Sequence, residues 1–318
     1  MSERRPAVIV PTYDGASVLS RLLTSLRSQT WEHDVIVVDN GSRDSTPQLL
    51  AHEFPEVRTV WLEENVGFAR AVNRGVRASD ARTIVLVNND VACEPEFIEE
   101  LCRALAPPEV VMVAGILLQA DDPAKIDTAG VRFDETLLAF DHLYGEDVAL
   151  LDDDPAPPLG PTGGAAAFDR RAFDDVGGFD ENFFAYLEDV DLIARLISAG
   201  ARCRLAVDAR GIHHHSATLG SGSTRKNELM GWSRGYTLAK YRLHCRPRLF
   251  ARAAVAEAAV TAGQLVVDRT ASGVKGRVAG FRAGLRVPAE RPPPLPDDVR
   301  GMPLRELLTR RAARRRRR

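Results

Sequence analysis

Two carboxylates in the chain stand directly after apolar runs that are typical of buried strands. Asp90 closes the tripeptide Asn88-Asn89-Asp90, which follows the run 84–87, and Asp39 follows the run 35–38. Ligands of open α/β sheets bind at the carboxyl ends of the strands. A carboxylate flanked by amides can hold Mg²⁺ or Mn²⁺ there and, through the ion, a diphosphate. Turn preference alone explains one such aspartate, but two of them after neighbouring strands predict a shared crevice.

A second group of acids, Glu188, Asp189 and Asp191, opens a predicted helix. The helix dipole favours a carboxylate at this end, which accounts for one acid rather than three. Asp191 stands four residues before Arg195, so we interpret it as half of a salt bridge on the helix surface. Asp189 lies at the edge of the apolar stripe, where a partly buried general base could take a proton from a hydroxyl.

Three consecutive histidines, His213 to His215, precede a Ser/Gly-rich loop that runs to Ser223. Side chains alternate along a strand, so at most two of the three face the same way. We predict that at least one is functional, for example as a metal ligand, and the pattern leaves open which one. Arg70 lies in a predicted helix and could face either a diphosphate or solvent. The sequence contains neither a P-loop nor a GxGxxG motif.

The elements that must position these residues alternate between apolar strands and amphipathic helices. Strands are predicted at 7–10, 35–38, 57–62 and 84–87, and the helices between them begin near residues 17, 45 and 67. This order predicts an α/β fold, a Rossmann-like and mostly parallel sheet flanked by helices. A further strand is expected at 110–118. A small-residue strand at 162–168 contains Gly163 and Gly164, where a ligand could approach the backbone closely.

The remainder of the chain divides by composition. The segment 120–158 is acid-rich, and we expect a surface excursion with a hairpin near 131–140. From residue 227 onward the pattern is helical and basic, with amphipathic helices expected near 249–267 and 274–285. We therefore predict three parts: a ligand-binding domain at 1–223, a basic helical extension at 224–290 and a flexible Pro/Arg-rich tail at 291–318.

The 318 residues carry a net charge of −2, but the last quarter is rich in arginine, which indicates an anionic partner for that end. The four cysteines show no metal-binding spacing. We see neither a signal peptide nor an uncharged apolar run of roughly 18 residues, so we expect a cytoplasmic protein with reduced thiols. A nucleic-acid partner is disfavoured because the core lacks a basic surface with interleaved aromatic residues.

Seven short segments, in order between residues 7 and 223, resemble motifs of the family 2 glycosyltransferases, and especially of bacterial rhamnosyltransferase-like enzymes. The segments are 8–13 (VIVPTY), 37–46 (VVDNGSRDST), 65–69 (NVGFA), 86–90 (LVNND), 177–180 (GGFD), 188–192 (EDVDL) and the histidine run. The resemblance implies the GT-A fold with its mixed, mostly parallel sheet, an inverting reaction and a divalent cation, Mn²⁺ or Mg²⁺, as cofactor.

The resemblance also implies roles for individual residues. Asp189 would be the catalytic base and Glu188 its partner, while Asp90 and His213 would hold the metal, with His214 as the other candidate. Asn88 stands where the family has the first acid of its Asp-x-Asp motif, which places metal affinity in the absence of nucleotide in doubt. The nucleotide-sugar-binding residues would be Pro11, Thr12, Tyr13, Asp39, Arg70, Asn88, Asn89, Gly163 and Gly164.

The function implied is transfer of a sugar, with rhamnose as one candidate, from a UDP, dTDP or GDP sugar to a hydroxyl of a glycan or lipid-linked acceptor in cell-wall or polysaccharide synthesis. The basic helices would lie on the anionic inner face of the cell membrane, or would form a helical cap or an oligomer contact. One alternative is a sugar nucleotidyltransferase, which requires a Gly-rich loop with Lys or Arg that the segment 11–15 lacks. The other is a non-catalytic nucleotide-sugar-binding protein.

Overall fold

A computed structural model describes residues 5–215 and 223–316. Its strands are β1 (Ala7–Thr12), β2 (Asp34–Asp39), β3 (Arg58–Trp61), β4 (Thr83–Val87), β5 (Val91–Cys93), β6 (Met112–Gln119), β7 (Ile126–Thr128), β8 (Val131–Phe133), β9 (Ala139–Asp141), β10 (Ala165–Asp169) and β11 (Cys203–His213). Its helices are α1 (Ala16–Arg27), α2 (Thr46–Glu53), α3 (Phe68–Arg77), α4 (Phe97–Leu105), α5 (Arg170–Asp175), α6 (Glu188–Ser198), α7 (Thr224–Lys240), α8 (Pro247–Val266), α9 (Ser272–Gly284), α10 (Asp297–Arg300) and α11 (Leu304–Arg316).

One mixed sheet organises these elements, in the order β3-β2-β1-β4-β10-β6-β11-β5, and β7 pairs with β6. The first four strands are parallel, as the alternation of strands and helices predicts. β10 is antiparallel to both β4 and β6, while β11 runs parallel to β6. The prediction of a mixed, mostly parallel α/β sheet is therefore confirmed, and the carboxyl ends of β1, β2 and β4 meet at one edge.

Each face of the sheet is covered by helices with an apolar stripe. On one face, α1, α2 and α4 pack leucines and phenylalanines against Val10, Val37 and Val85. On the other face, α3, α5, α6 and the middle of α7 pack against Ile9, Val38 and their neighbours. Helical periodicity of apolar residues gives each helix one buried stripe, and burial on both faces explains why the strands are almost uninterrupted runs of Val, Ile and Leu.

The segment 120–158 differs from the surface excursion that we expected. The predicted hairpin is present, because β8 and β9 pair antiparallel. However, the segment also adds β7 to the sheet and buries Asp127, Asp134 and Thr136 completely. The acids that suggested a solvated loop are in part structural, since Asp134 accepts hydrogen bonds from its own turn and from Arg252 on α8.

The helical extension joins the sheet domain through α7 and α9, which pack backbone against backbone. A methyl group added to Gly280 would lie 1.9 Å from the carbonyl oxygen of Trp232, and one added to Gly235 would lie 2.0 Å from that of Arg277. Gly231, Gly276 and Gly284 show the same close approach. We call this contact between α7 and α9 the glycine seam. It brings two helices together through small residues spaced four apart, as in close helix pairs generally.

The structure also differs from the predicted tail over residues 291–318. Leu295, Val299, Met302 and Leu307 are buried and pack with β8, β9 and α6 in a shared apolar cluster. The four apolar residues are spaced three to five apart in the sequence, which lets them cover a neighbouring apolar face. The many prolines and arginines of the segment make this spacing hard to recognise. The predicted Ser/Gly-rich loop, by contrast, falls mostly on residues 216–222 and lies outside the described residues.

Candidate active site

Three residues of the predicted nucleotide-sugar site meet at the carboxyl end of the parallel strands. Thr12 and Asp39 are register partners at the ends of β1 and β2, and Asn89 Nδ2 donates a hydrogen bond of 2.9 Å to Thr12 Oγ1. Asp39 is buried and accepts a hydrogen bond from the Ser42 backbone N–H. Burial raises its pKa, which the bonds from Ser42 partly offset. A side chain at Gly15 would collide with Thr12 and Asn89, so the loop closes tightly over them.

The histidine run brings an imidazole to Asp90. β11 pairs antiparallel with β5 and places His213 opposite Val91, so the His213 Nε2 atom lies 3.2 Å from Asp90 Oδ1. The following residue, His214, donates its backbone N–H to the Asp90 carbonyl oxygen. The structure thus joins two residues that are far apart in the sequence and that the resemblance assigned to the metal.

Asp127 on β7 also belongs to the group of Asp90 and His213, and we did not predict it. Its Oδ2 atom lies 2.7 Å from His213 Nδ1, and its Oδ1 atom lies 2.9 Å from His215 Nε2. The facing nitrogen and oxygen atoms of Asp127, His213 and His215 are all within 4.8 Å of one another. The sequence carries no local signal for this role, because Asp127 stands among other acids in a segment without strong periodicity.

The charges of this group fit a divalent cation. Asp127 can only accept when it is ionised, so a neutral His213 donates from Nδ1 and turns the lone pair of Nε2 toward Asp90. Either a proton or a cation must then separate these two atoms. Two ligands in cis positions of an octahedral ion, each about 2.1 Å from it, are about 3 Å apart, which agrees with the observed 3.2 Å. Burial opposes the protonated form of His213, but hydrogen bonds to Asp127 and Asp90 raise its pKa to about 9.

Glu188 and Asp189 open α6 on the other side of the site. The two residues before Glu188, Tyr186 and Leu187, have φ angles of 70° and 66°. Left-handed backbone at two consecutive residues with side chains is strained, and such strain fixes the direction in which the two acids enter the site. Glu188 is buried, and its Oε2 atom has no hydrogen-bond partner within the described residues.

Both of these carboxyl groups hold a proton more tightly than usual. Burial raises the pKa of Glu188, and the neighbouring charge of Asp189 raises it further. Burial also raises the pKa of Asp189, and Asp141 adds to this, while backbone hydrogen bonds from Val190 and Gly163 lower it. At neutral pH the pair therefore tends to keep one proton, with Asp189 as the group that ionises first. One member can then act as a base.

The loop before β10 links the two sides of the site. Gly164 accepts a hydrogen bond from the Asn88 backbone N–H at 3.3 Å, while the backbone of Gly163 reaches Asp189. A methyl group added to Gly163 would lie 2.8 Å from the ring of Phe68, and one on Gly164 would lie 3.0 Å from the Asn88 amide. The backbone at these two glycines thus lies between the group around Asp90 and the acids at the start of α6.

Arg70 lies apart from these contacts. Its Nε atom donates to the Glu181 carbonyl oxygen at 3.1 Å, and its guanidinium is half exposed. Its position beside a phosphate or base therefore stays a prediction, as do the assignments of Pro11 and Tyr13, whose side chains are partly buried on β1 and directly after it.

Asp191 forms the predicted salt bridge with Arg195, but the prediction that this pair lies on the helix surface is wrong. The pair with Arg195 exists at 2.9 Å, but the Asp191 side chain is 0% exposed. It also accepts hydrogen bonds from Lys240 Nζ at 2.6 Å and from the Tyr241 hydroxyl at 3.0 Å. A carboxylate that faces three donors can be buried without an unpaired charge, and here it fastens α7 to α6 behind the two site acids.

Comparison with known proteins decides the family. A sequence model described as "Glycosyl transferase family 2" matches residues 7–177. The chain belongs to this family. A second model, described as "N-terminal domain of galactosyltransferase", matches residues 159–216, which contain Glu188, Asp189 and His213. The family resemblance that the sequence motifs indicated is confirmed.

Two curated relatives come from Mycobacterium tuberculosis. An N-acetylglucosaminyl-diphospho-decaprenol L-rhamnosyltransferase is 31% identical over 243 residues, which cover 69% of this chain and 79% of the relative. A pre-mycofactocin glycosyltransferase is 32% identical over 232 residues, 71% of this chain and 46% of the relative. A third relative, an O-antigen chain rhamnosyltransferase of Salmonella typhimurium, is 23% identical over 66% of this chain and 67% of the relative. This glycosyltransferase therefore has rhamnosyltransferases among its homologues.

Solved structures confirm the fold. A mannosyltransferase from Pyrobaculum calidifontis, solved with GDP-Man and Mn²⁺, matches 97% of this chain and 79% of its own with a TM-score of 0.53 and 19% identity. S. aureus TarS 1-349 matches 89% of this chain and 81% of its own, with a TM-score of 0.55 and 15% identity. GalNAc-T7, solved with UDP, GalNAc and Mn²⁺, matches 91% and 55%, with a TM-score of 0.58 and 13% identity. The chain has the GT-A fold of these enzymes.

Proposed function

We propose that this protein is an inverting glycosyltransferase that moves a sugar, with rhamnose as the leading candidate, from a nucleoside-diphosphate sugar to an acceptor hydroxyl. The observation that carries the proposal is the placement of two chemically different groups around one glycine loop. The pair Asp90 and His213 lies on one side of Gly163 and Gly164, and the two acids at the start of α6, which together keep one proton, lie on the other.

The residues divide the work of a single displacement. A Mn²⁺ or Mg²⁺ ion held by Asp90 and His213 would supply neutralisation of charge on the departing diphosphate. Asp189 takes the proton of the acceptor hydroxyl as its oxygen forms a bond to the anomeric carbon. The bond from that carbon to the diphosphate oxygen breaks at the same time, and the diphosphate leaves with the electron pair. One displacement from the opposite face inverts the anomeric centre.

The environment of Asp189 suits the role of base. A base works best when its pKa is close to the pH at which the enzyme operates, and burial moves the pKa of Asp189 upward in that direction. Glu188 keeps its own proton at that pH, so it can donate a hydrogen bond to an acceptor oxygen rather than repel the developing negative charge.

The donor and acceptor classes follow from the relatives. Neighbouring structures contain GDP-Man or UDP, and the mycobacterial relative is named for a diphospho-decaprenol acceptor. We therefore propose a UDP, dTDP or GDP sugar as donor and a lipid-linked glycan of cell-wall or polysaccharide synthesis as acceptor. A sugar nucleotidyltransferase is disfavoured because the turn after β1 has no basic residue to bind a triphosphate.

The extension supports a place at the inner face of the cell membrane, as a peripheral protein. Large apolar side chains are exposed on α8, directly after it and on α9, among them Phe250, Val266, Val267, Val274 and Val278. By length and composition alone, α8 is long and apolar enough to span a bilayer, and 17% of its apolar window is buried. Between residues 241 and 291 every exposed charged side chain is a cation (Arg246, Arg248, Arg269, Lys275, Arg282, Arg286, Arg291). Apolar residues flanked by cations favour an anionic lipid surface.

A donor screen tests the function. Thermal stability is measured with UDP, dTDP, GDP and CDP sugars, with and without Mn²⁺, and transfer is then measured with the donor that stabilises most. Wild-type protein is expected to transfer the sugar, whereas Asp189→Asn binds the same donor but does not transfer it. Near-normal transfer by Asp189→Asn would reject the assignment of the base. Donor binding without transfer by the wild type to any acceptor would favour a non-catalytic binding protein.

Vesicle flotation tests the membrane proposal. Val266 and Val267 are 76% and 70% exposed, so replacing both by Asp leaves the core intact while it places charge on the apolar face. Trp61→Asp is the control, because Trp61 is 54% exposed and lies on β3, at the edge of the sheet, rather than on the helical extension. The double variant should lose binding to vesicles that contain an anionic lipid, and the control should keep it. Equal binding by all three proteins would exclude α8 as the contact.

A further inference from the structure

A groove between α7, α8 and α9 is lined mainly by carbon atoms and has a volume of about 370 Å³. Its apolar walls are formed by Leu238 on α7, by Phe250, Ala253 and Ala254 on α8, and by Val278 and Phe281 on α9. Small-molecule sites in proteins are concave, mostly apolar and carry a few polar groups that orient the ligand. The groove has this composition, and it lies outside the sheet domain that contains the candidate active site.

The polar groups of the groove fall into two kinds. Glu257 and Arg277 bind each other at 2.7 Å, and Glu257 also binds Arg234, so their charges are satisfied. His244 and Arg282 differ. The His244 Nδ1 atom is buried and has no hydrogen-bond partner in the part of the chain that the structure describes, while its ring packs on Phe281. Arg282 is exposed and has no ion pair or hydrogen bond within the described residues. Arg282 contributes a positive charge and His244 a ring nitrogen that can donate a hydrogen bond, so these two groups favour an anionic ligand.

The groove opens onto the exposed apolar face of the extension. Phe250 and Val278 both line it and are 52% and 47% exposed, so the apolar surface of the groove continues into the exposed face of α8 and α9. The surrounding exposed charges are all positive between residues 241 and 291. These features suit an occupant that has a hydrocarbon portion and a negative charge and that approaches from an anionic lipid surface.

Contacts of α7 connect the groove to the candidate active site. Gly235 and Leu238 line the groove. On the same helix, the Ser233 hydroxyl donates to the Ala185 carbonyl oxygen at 2.9 Å, just before Glu188, and Lys240 binds Asp191. A ligand that lies along α7 thus touches the helix that fixes the start of α6, where the acceptor hydroxyl must arrive.

We propose that this groove binds the hydrocarbon chain of a lipid-linked diphosphate acceptor, with His244 and Arg282 on the side of the charged head. The inference rests on the proposed function for the identity of the acceptor, but not for the affinity of the groove for the chain. It predicts that the enzyme distinguishes acceptors by the length of the chain as well as by the sugar.

Val278 and Val274 provide a matched pair of variants. They lie one turn apart on α9 and are 47% and 41% exposed, but only Val278 lines the groove. Val278→Asp and Val274→Asp therefore add the same charge to the same apolar face, and a general effect on membrane contact is common to both. Val278→Trp, which fills the groove without adding charge, guards against an effect of charge alone.

Transfer is measured in detergent with acceptors that carry isoprenoid chains of five, ten and fifteen carbons on the same sugar diphosphate. For wild type and Val274→Asp, KM should fall by at least about tenfold from the shortest to the longest chain, since tenfold already corresponds to burial of about two methylene groups at about 0.8 kcal/mol each. In Val278→Asp and Val278→Trp this dependence should disappear. A dependence that is absent in the wild type, or equal in the variants of both valines, would overturn the proposal.

Calorimetric titration with farnesyl diphosphate separates this proposal from the function. Wild type and Val274→Asp should bind the probe, and both Val278 variants should bind it at least tenfold more weakly. This difference in affinity, together with a lack of transfer to any acceptor, would support binding of the hydrocarbon chain in the groove and reject the proposed function. Transfer that is independent of chain length, without binding of farnesyl diphosphate, would support the proposed function and reject the groove as the binding site of the chain.

Discussion

Replacing Asp127 by Asn gives the sharpest test of the proposed metal site at Asp90 and His213. The buried carboxylate accepts from two imidazoles, with 2.7 Å to His213 and 2.9 Å to His215. Asparagine has the same shape but only one oxygen, and its amide nitrogen donates. One of the two imidazoles must therefore lose its acceptor, or His213 must adopt the tautomer whose Nε2 carries a proton and cannot bind a metal.

The size of the effect follows from the bond that is lost. A hydrogen bond to a charged group contributes about 1.5–3 kcal/mol, and every 1.4 kcal/mol changes an affinity about tenfold. We expect Mn²⁺ to bind Asp127→Asn about 10–100-fold more weakly than wild type, the range found for carboxylates that orient metal-ligating histidines. The fold should be preserved, because no side-chain volume changes.

Mn²⁺ affinity is measured by electron paramagnetic resonance of the free ion, in the presence of the nucleoside diphosphate that stabilises the protein most. Asp121→Asn is the control, since it removes an exposed acid six residues earlier in the chain. Asp90→Asn removes a proposed ligand and should weaken binding at least as much as Asp127→Asn does. Binding by Asp127→Asn within twofold of wild type, beside a clear loss in Asp90→Asn, would refute the reasoning.

Three further predictions follow from contacts described above. The value of kcat/KM should rise with pH, and the pKa of this rise should lie above the ordinary pKa range of carboxyl groups, because burial raises the pKa of Asp189 and only its ionised form is a base. A rise with a pKa near 4 in the pH–rate profile would contradict this. Lys240→Met should lower the free energy of unfolding by about 3 kcal/mol in urea, since it removes a cation from the fully buried Asp191; a loss under about 1 kcal/mol would show that the neighbouring donors suffice. Gly280→Leu should reduce thermal stability far more than Leu at exposed Ala279, because only Gly280 faces the backbone of α7; equal changes would contradict the close packing of the two helices.

The sheet and half of the candidate site could be predicted because they depend on local pattern and one general rule. Apolar runs followed by polar residues locate the strand ends, and parallel strands bring those ends to one edge. This places Asp39 beside Thr12 and Asn89. The approach of His213 to Asp90 came from the resemblance, since antiparallel pairing of β11 with β5 leaves no mark on the sequence near either residue.

Asp127 could not be predicted because its role depends on tertiary pairing. The acids at 121, 122 and 127 look alike in sequence, and only the return of β7 onto β6 buries one of them against two histidines. Asp191 shows the same limit. Its spacing to Arg195 correctly indicates a pair, but its burial depends on Lys240 and Tyr241, which arrive from a helix about fifty residues later.

The glycine seam has a consequence for how this protein tolerates mutation. At Gly231, Gly235, Gly276, Gly280 and Gly284 the opposing backbone leaves no volume for even one methyl group. A saturation scan scored by growth or expression would rank these five positions as intolerant as the residues that perform the chemistry. None of them contacts the crevice at the end of the parallel strands, so assaying purified variants for donor binding would separate the two classes that such a scan merges.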